Sequence, residues 1–281
     1  MFEINALSDA VGAEIVGLDL AQPLDDDTFG RVHQAHLDHQ VLVFRDQEIT
    51  PEQHIAFSRR FGDLSGHVYE QFLLSGHPEI LKVSNKKTPE GDFVGLNSAG
   101  RRWHSDLSYA EIPSLGSLLY ALEIPPSGGD TLFNNMYSAY ETLPQMTKDR
   151  IAGLKAEFLI GSARKYYTEN ERPALTSEQL ASVPSVEHPV VRTHPESGRK
   201  ALYVNSAHTV RILGIDNAEA EDLLTELTEH SVKPEFVYRH KWQLHDLVFW
   251  DNRCCMHIAE PPPEGANRHM HRTTVVGDRP Y

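Results

Sequence analysis

Two features of this 281-residue sequence predict a mainly β fold with helices at its periphery. Short apolar or alternating runs recur from one end to the other, and the few helical signals are set between them. Many strands with few helices pack as two layers, which points to a β-sandwich or a jelly roll with helical decoration. No linker divides the chain, and no repeat of roughly 20–50 residues is visible, so one domain over residues 1–281 is expected.

The elements follow in order. Asp25–His39 carries helical spacing, and Val41–Phe44 is a short buried-strand run. Thr50-Pro51-Glu52-Gln53 is a capping box with proline at the first helical position, and Gly62 is expected to close that helix. Ile80–Val83, Leu118–Ile124, Phe158–Ile160, Val190–Thr193 and Leu202–Val204 read as strands. Asp216–Glu219 is a second capping box, ahead of Leu223, Leu224 and Leu227. Glu235–Trp242 alternates with period two, Leu247–Trp250 is continuously apolar, and Arg268–Val276 is a last strand. Asn85–Gly100 and Pro261–Asn267 read as loops.

Charge and cysteine usage exclude several classes. Lys and Arg number 26 and Asp and Glu 40, for a net charge of −14. Such a chain repels phosphate backbones, so neither nucleic acid nor an anionic membrane is expected as a partner. The two cysteines, Cys254 and Cys255, are adjacent, which rules out a disulfide framework and reads as buried strand thiols. Met1–Leu20 contains no Lys or Arg, unlike a secretory signal, and no apolar run reaches the ~20 residues that span a bilayer. A cytoplasmic protein that self-associates is expected.

Sixteen histidines leave position to choose among them. Trp103-His104-Ser105-Asp106 places His104 and Asp106 on one side of an extended segment, where both reach one metal. His257 follows the apolar run ending at Trp250, and two histidines plus a carboxylate form the facial set of non-haem Fe(II) oxygenases. Period two puts Arg268, Met270 and Arg272 on one face of the last strand and His269 and His271 on the other. With Met270 inward, two guanidiniums are buried, and each needs an anion: Asp251 as a structural partner, or a dicarboxylate cosubstrate and an anionic substrate. His33, His36 and His39 recur every third residue, and a solvated helix face explains them better than a metal site. Gly128-Gly129-Asp130-Thr131 lacks the lysine of a phosphate loop and reads as a turn into a strand.

The ordered set of motifs resembles the Fe(II)- and 2-oxoglutarate-dependent dioxygenases of the taurine dioxygenase / 2,4-dichlorophenoxyacetate dioxygenase group. It comprises Gly12–Ile15, Gly17–Leu20, Val41–Arg45, Phe57–Gly62, Trp103–Asp106, Gly128–Thr131, Trp250–Arg253, His257, Arg268 and Arg272. The resemblance implies a double-stranded β-helix and the use of Fe(II), 2-oxoglutarate and O2, with succinate and CO2 as coproducts. It implies that His104, Asp106 and His257 hold iron. Arg268, helped by Thr131 and with Trp250 lining the site, would take the distal carboxylate of 2-oxoglutarate. Arg272, His67 and Leu107 would contact the substrate. Val191–His194 and Phe236–His240 are similar to the phenoxyacetate side of the group, and His271–Pro280 to the taurine side. A small organic anion, aryloxyalkanoate-like, is therefore the expected substrate, with a sulfonate or sulfate ester next. Outside this class, a zinc hydrolase on the same ligands and a binding-only jelly roll are the rivals.

Overall fold

The computed structural model describes residues 2–97, 100–161, 176–181 and 183–281. Along the chain these form β1 (Glu3–Ala6), β2 (Ala13–Val16), α1 (Asp26–His39), β3 (Val41–Phe44), α2 (Pro51–Arg59), β4 (Leu73–Leu74), β5 (His77–Ser84) and β6 (Ser114–Glu123). Then come β7 (Thr131–Asn135), α3 (Met136–Glu141), α4 (Gln145–Ile151), β8 (Lys155–Phe158), α5 (Ser177–Ala181), β9 (Val186–Pro189), β10 (Val191–Thr193) and β11 (Lys200–Leu202). β12 (Thr209–Ile212), α6 (Asn217–Ser231), β13 (Val237–His240), β14 (Leu247–Asp251), β15 (Cys255–Ala259) and β16 (His269–Val276) complete them. The result is a jelly roll. An eight-stranded sheet runs β1-β2-β3-β14-β6-β16-β5-β4, and the smaller β13-β7-β15 sheet carries β15 at one edge.

In the middle of the large sheet, Val41–Phe44 and Leu247–Trp250 are apolar in every position because both faces there are covered. Val41, Val43, Val248 and Trp250 enter one core with Leu119, Phe133, Met256 and Met270. Their strand neighbours Leu42, Phe44, Leu247 and Phe249 enter a second core with Val32 and Ala35 of α1 and Phe57 of α2. That is why Leu247–Trp250 shows no alternation.

Helix ends follow their caps. Asp25 accepts a hydrogen bond from the Thr28 amide, and Thr50 and Gln53 form the reciprocal capping box at α2. Asp216 caps α6 by accepting from Ala218, but Glu219 reaches away to Arg150 at 2.8 Å, so the second box is only half formed. α2 stops at Arg59, and Gly62 follows at φ 148°.

Several strands differ from the sequence expectation. The run expected over Glu235–Trp242 starts as a 3-10 turn at Pro234–Phe236, because proline favours a turn start, and only Val237–His240 pairs. The pairing around Phe158 and Leu202 lies on their N-terminal sides, in β8 and β11. The histidines of α1 are not a solvated face: His36 is fully buried and stacks on Phe249 at 3.8 Å, while His33 pairs with Glu196 at 2.8 Å. No helix of the described residues is long and apolar enough to cross a membrane.

Candidate active site

His104 lies outside the named strands, but its backbone forms an isolated antiparallel bridge with His257 on β15. His104 N donates to His257 O at 3.1 Å, and His257 N to His104 O at 2.8 Å. The bridge joins positions 153 apart in sequence and sets the two imidazole centroids 4.1 Å apart. Asp106 brings Oδ1 to 3.6 Å from His104 Nε2. One ligand atom from each of the three buried residues lies within 4.8 Å of the other two.

Protonation suits a metal. His104 Nδ1 faces two acceptors, the carbonyls of Arg102 at 2.8 Å and His257 at 3.1 Å, so it carries the proton and Nε2 keeps its lone pair. Burial and the neighbouring His104 hold His257 well below the usual histidine range, and its Nδ1 is a buried nitrogen with no hydrogen-bond partner. Burial alone would raise Asp106, but the Arg272 guanidinium outweighs it and keeps the carboxylate ionised. Two imidazoles and one carboxylate are a donor set that suits Fe(II) or Zn(II), with the remaining positions open to small molecules. The residue after the metal carboxylate, Leu107, sits at φ 56°, a left-handed conformation that costs a non-glycine residue roughly 1–2 kcal/mol.

β16 delivers both arginines inward, with Met270 fully buried between them. Each enters a different cavity. The first is lined by His104 and Asp106 together with His67, Leu107, Tyr109, His208 and Arg272. The second is lined by Arg268 with Asn85, Asn97, Arg101 and Pro261, and Leu96 borders both. Arg272 Nη1 donates to Asp106 Oδ1 at 2.8 Å, while its buried Nε has no partner. Arg268 Nη2 donates to Thr131 Oγ1 at 3.3 Å. Its guanidinium carbon lies 5.5 Å from the Trp242 ring centroid, and its Nε is buried without a partner. Among the described residues no carboxylate lies within 4.0 Å of it, and burial pushes its pKa down to about 10. A buried cation so poorly paired is costly without an anion beside it.

Of the residues singled out in the sequence, His67, His104, Asp106, Leu107 and Arg272 meet at the first cavity. Thr131 meets Arg268 through their hydrogen bond, and His257 meets His104 through the backbone bridge. Trp250 lines neither cavity: its ring packs under His257 at 4.7 Å and its N–H donates to Asn252. The tryptophan beside Arg268 and Thr131 is Trp242, whose Nε1 donates to Thr131 Oγ1 at 3.0 Å. Sequence reasoning passed over Trp242, which sat inside a run read only as strand. It also passed over Tyr109 and His208, whose spacing carries no metal signature. His208 Nδ1 is 2.9 Å from Ser108 Oγ beside the metal group. A second buried group, His194, Asp251 and Cys254, is already satisfied: Arg253 grips Asp251 at 2.6 and 2.9 Å.

Comparison with known proteins agrees with this geometry. The family model described as "Taurine catabolism dioxygenase TauD, TfdA family" matches residues 3–274. An alpha-ketoglutarate-dependent 2,4-dichlorophenoxyacetate dioxygenase of Cupriavidus pinatubonensis is 37% identical over 98% of this chain and 97% of its own. An (S)-phenoxypropionate/alpha-ketoglutarate-dioxygenase of Sphingobium herbicidovorans is 33% identical over 99% and 96%. The crystal structure of AAD-2 in complex with Mn(II) and N-oxalylglycine superposes with a TM-score of 0.84, at 36% identity over 100% of this chain and 99% of that one. With a jelly roll, a buried two-histidine, one-carboxylate group and a family match over nearly its whole length, the chain belongs to the TauD/TfdA dioxygenase family.

Proposed function

We propose that this enzyme hydroxylates a small organic anion with an apolar body, an aryloxyalkanoate-like carboxylate, beside a metal held by His104, Asp106 and His257. The chain is a 2-oxoglutarate-dependent dioxygenase that uses Fe(II), 2-oxoglutarate and O2. When bound, these groups supply the oxidative decarboxylation that yields succinate and CO2 and drives hydroxylation of the substrate. The observation that carries the reading is the pair of buried arginines in two cavities either side of Met270, one of them without a carboxylate partner.

The protein's own groups divide the work. Arg268, with Thr131 and Trp242 against it, takes the distal carboxylate of 2-oxoglutarate as a fork-like donor, while Trp250 packs beneath His257 instead. Arg272, His67 and Leu107 hold the substrate: the guanidinium takes its anion and Leu107 packs on its body. Burial keeps His257 neutral, and the carbonyls of Arg102 and His257 hold the Nδ1 proton of His104 away from the carboxylate side. The relatives that act on phenoxyalkanoates support the carboxylate class.

The test is oxygen consumption and succinate release with Fe(II), ascorbate and 2-oxoglutarate over a panel of aryloxyalkanoates, alkanesulfonates and alkyl sulfates. The highest kcat/KM is expected for an aryloxyalkanoate. Equal turnover of the neutral methyl esters would remove the anion anchor from the account.

A further inference from the structure

Asp106 is held at its backbone N–H by Asn252, at Oδ2 by Ser117 and at Oδ1 by Arg272. Asn252 follows β14 and is 1% exposed. Its Oδ1 accepts from the Asp106 backbone N–H at 3.0 Å and from Trp250 Nε1 at 3.0 Å. Both of those groups only donate, so the amide has one permitted orientation and Nδ2 must face the other way. There it donates to Ser114 Oγ and Ser117 Oγ, each at 3.1 Å. Ser117 Oγ, already accepting from Asn252, has one O–H left, and it donates that to Asp106 Oδ2 at 2.7 Å. Ser114 spends its own hydroxyl proton on Gly116 O at 3.0 Å.

We propose that Asn252 and Ser117 are positioning residues that commit Asp106 Oδ2 to the protein and leave Oδ1, which also accepts from Arg272 Nη1 at 2.8 Å through one of its lone pairs, as the oxygen turned to the metal. This rests on the reading of His104, Asp106 and His257 as metal ligands. Oδ1 is the oxygen on the His104 side, 3.6 Å from Nε2. A carboxylate free to rotate would offer both oxygens and occupy a position that the cosubstrate or O2 requires. The relay works only in one direction. Asparagine supplies two acceptor sites for N–H groups and two donors for hydroxyls, so no bond in the set competes with another. Aspartate at 252 would offer no donor, and Ser117 would turn its proton toward it and away from Asp106. Gly116 makes the contact reachable: a Cβ there would meet Phe249 and Trp250 O at 2.6 Å, so only glycine lets β6 close on β14.

The experiment measures Mn(II) binding to protein stripped with chelator, by titration calorimetry and by electron paramagnetic resonance of free Mn(II). Ser117→Ala is expected to weaken Mn(II) by about 10–100-fold, the usual effect of losing a hydrogen bond behind a metal ligand. Ser117→Thr, which keeps the hydroxyl, is expected to restore binding to within a few-fold of the parent. Asn252→Asp is expected to weaken Mn(II) in the same direction. Asp106→Ala serves as control and is expected to abolish binding. Ser117→Ala with parental Mn(II) affinity, or a loss that threonine does not restore, overturns the proposal. If Asp106→Ala binds Mn(II) as tightly as the parent, the metal assignment itself is at fault, and the two failures are told apart.

Discussion

Arg268 carries a specific expectation because its environment is so one-sided. It has a threonine hydroxyl, an indole face and a buried Nε with no acceptor. Arg268→Ala should raise KM for 2-oxoglutarate by about 30-fold or more, the equivalent of roughly 2–5 kcal/mol for one member of a buried charge pair, with a smaller change in kcat. Titration with 2-oxoglutarate at saturating substrate checks this, and an unchanged KM would place the cosubstrate elsewhere. His104→Ala, Asp106→Ala and His257→Ala should each abolish succinate formation while circular dichroism stays native. Full activity in any one removes that residue from the ligand set. The inward phase of Arg268 and Arg272 was legible in the sequence because a period-two strand with Met270 between them leaves no other face for them. Trp242 was not legible, since its role depends on Thr131 and Arg268 converging from β7 and β16, which no local pattern encodes.

At the scale of elements, β3, β14 and β16 were readable because their composition matches their burial: apolar throughout where both faces are covered, alternating where one face is polar. β7 and β15 were legible only at their first residues, Thr131 as the end of a turn into a strand and Cys255 as a buried strand thiol. Thr131–Asn135 ends on two asparagines and Cys255–Ala259 follows a turn, so each looks polar or short alone. They are strands because they pair with each other and β7 also pairs with β13. Asn134 and Asn135 are buried and turned to Ser231 O and Ala10 O, which accounts for polar residues in a core strand. β6 packs closely on β14 at Gly116, where a Cβ would meet Phe249 and Trp250 O at 2.6 Å. Gly116→Ala should destabilise the fold by about 1–3 kcal/mol, the usual cost of overpacking, read as a lower urea midpoint. Because Ser117 moves with it, Mn(II) affinity should fall as well. A variant as stable as the parent would show that the two strands separate freely.

For the whole molecule, buried neutral histidines tie stability to pH. Burial pushes His36 and His54 down to about 3 from an ordinary value of 6.5. Unfolded chains protonate these rings near pH 6.5 and the folded protein does not, so protons favour unfolding. The stabilisation is complete above about pH 6.5 and is lost as pH falls toward 3, by about 1.4 kcal/mol per unit per residue. The Tm should therefore fall steeply between pH 6.5 and 4.5. His36→Phe, which preserves the stack on Phe249 without a titrating ring, should flatten that slope. A parallel slope in the variant would assign the acid sensitivity to other groups.

The backbone bridge between His104 and His257 has a kinetic meaning. The two ligands come from segments 153 positions apart, and neither lies near its partner until β15 has docked against the segment carrying Trp103 to Asp106. Closing so long a loop comes late, because its entropy is spent before its contacts return anything. The proposed metal group is therefore expected to assemble late in folding rather than to serve as its nucleus. In stopped-flow refolding, Mn(II) capture should lag the recovery of tryptophan fluorescence and should leave the folding rate unchanged while slowing unfolding. An ion that accelerated refolding would mean that the two histidines meet early.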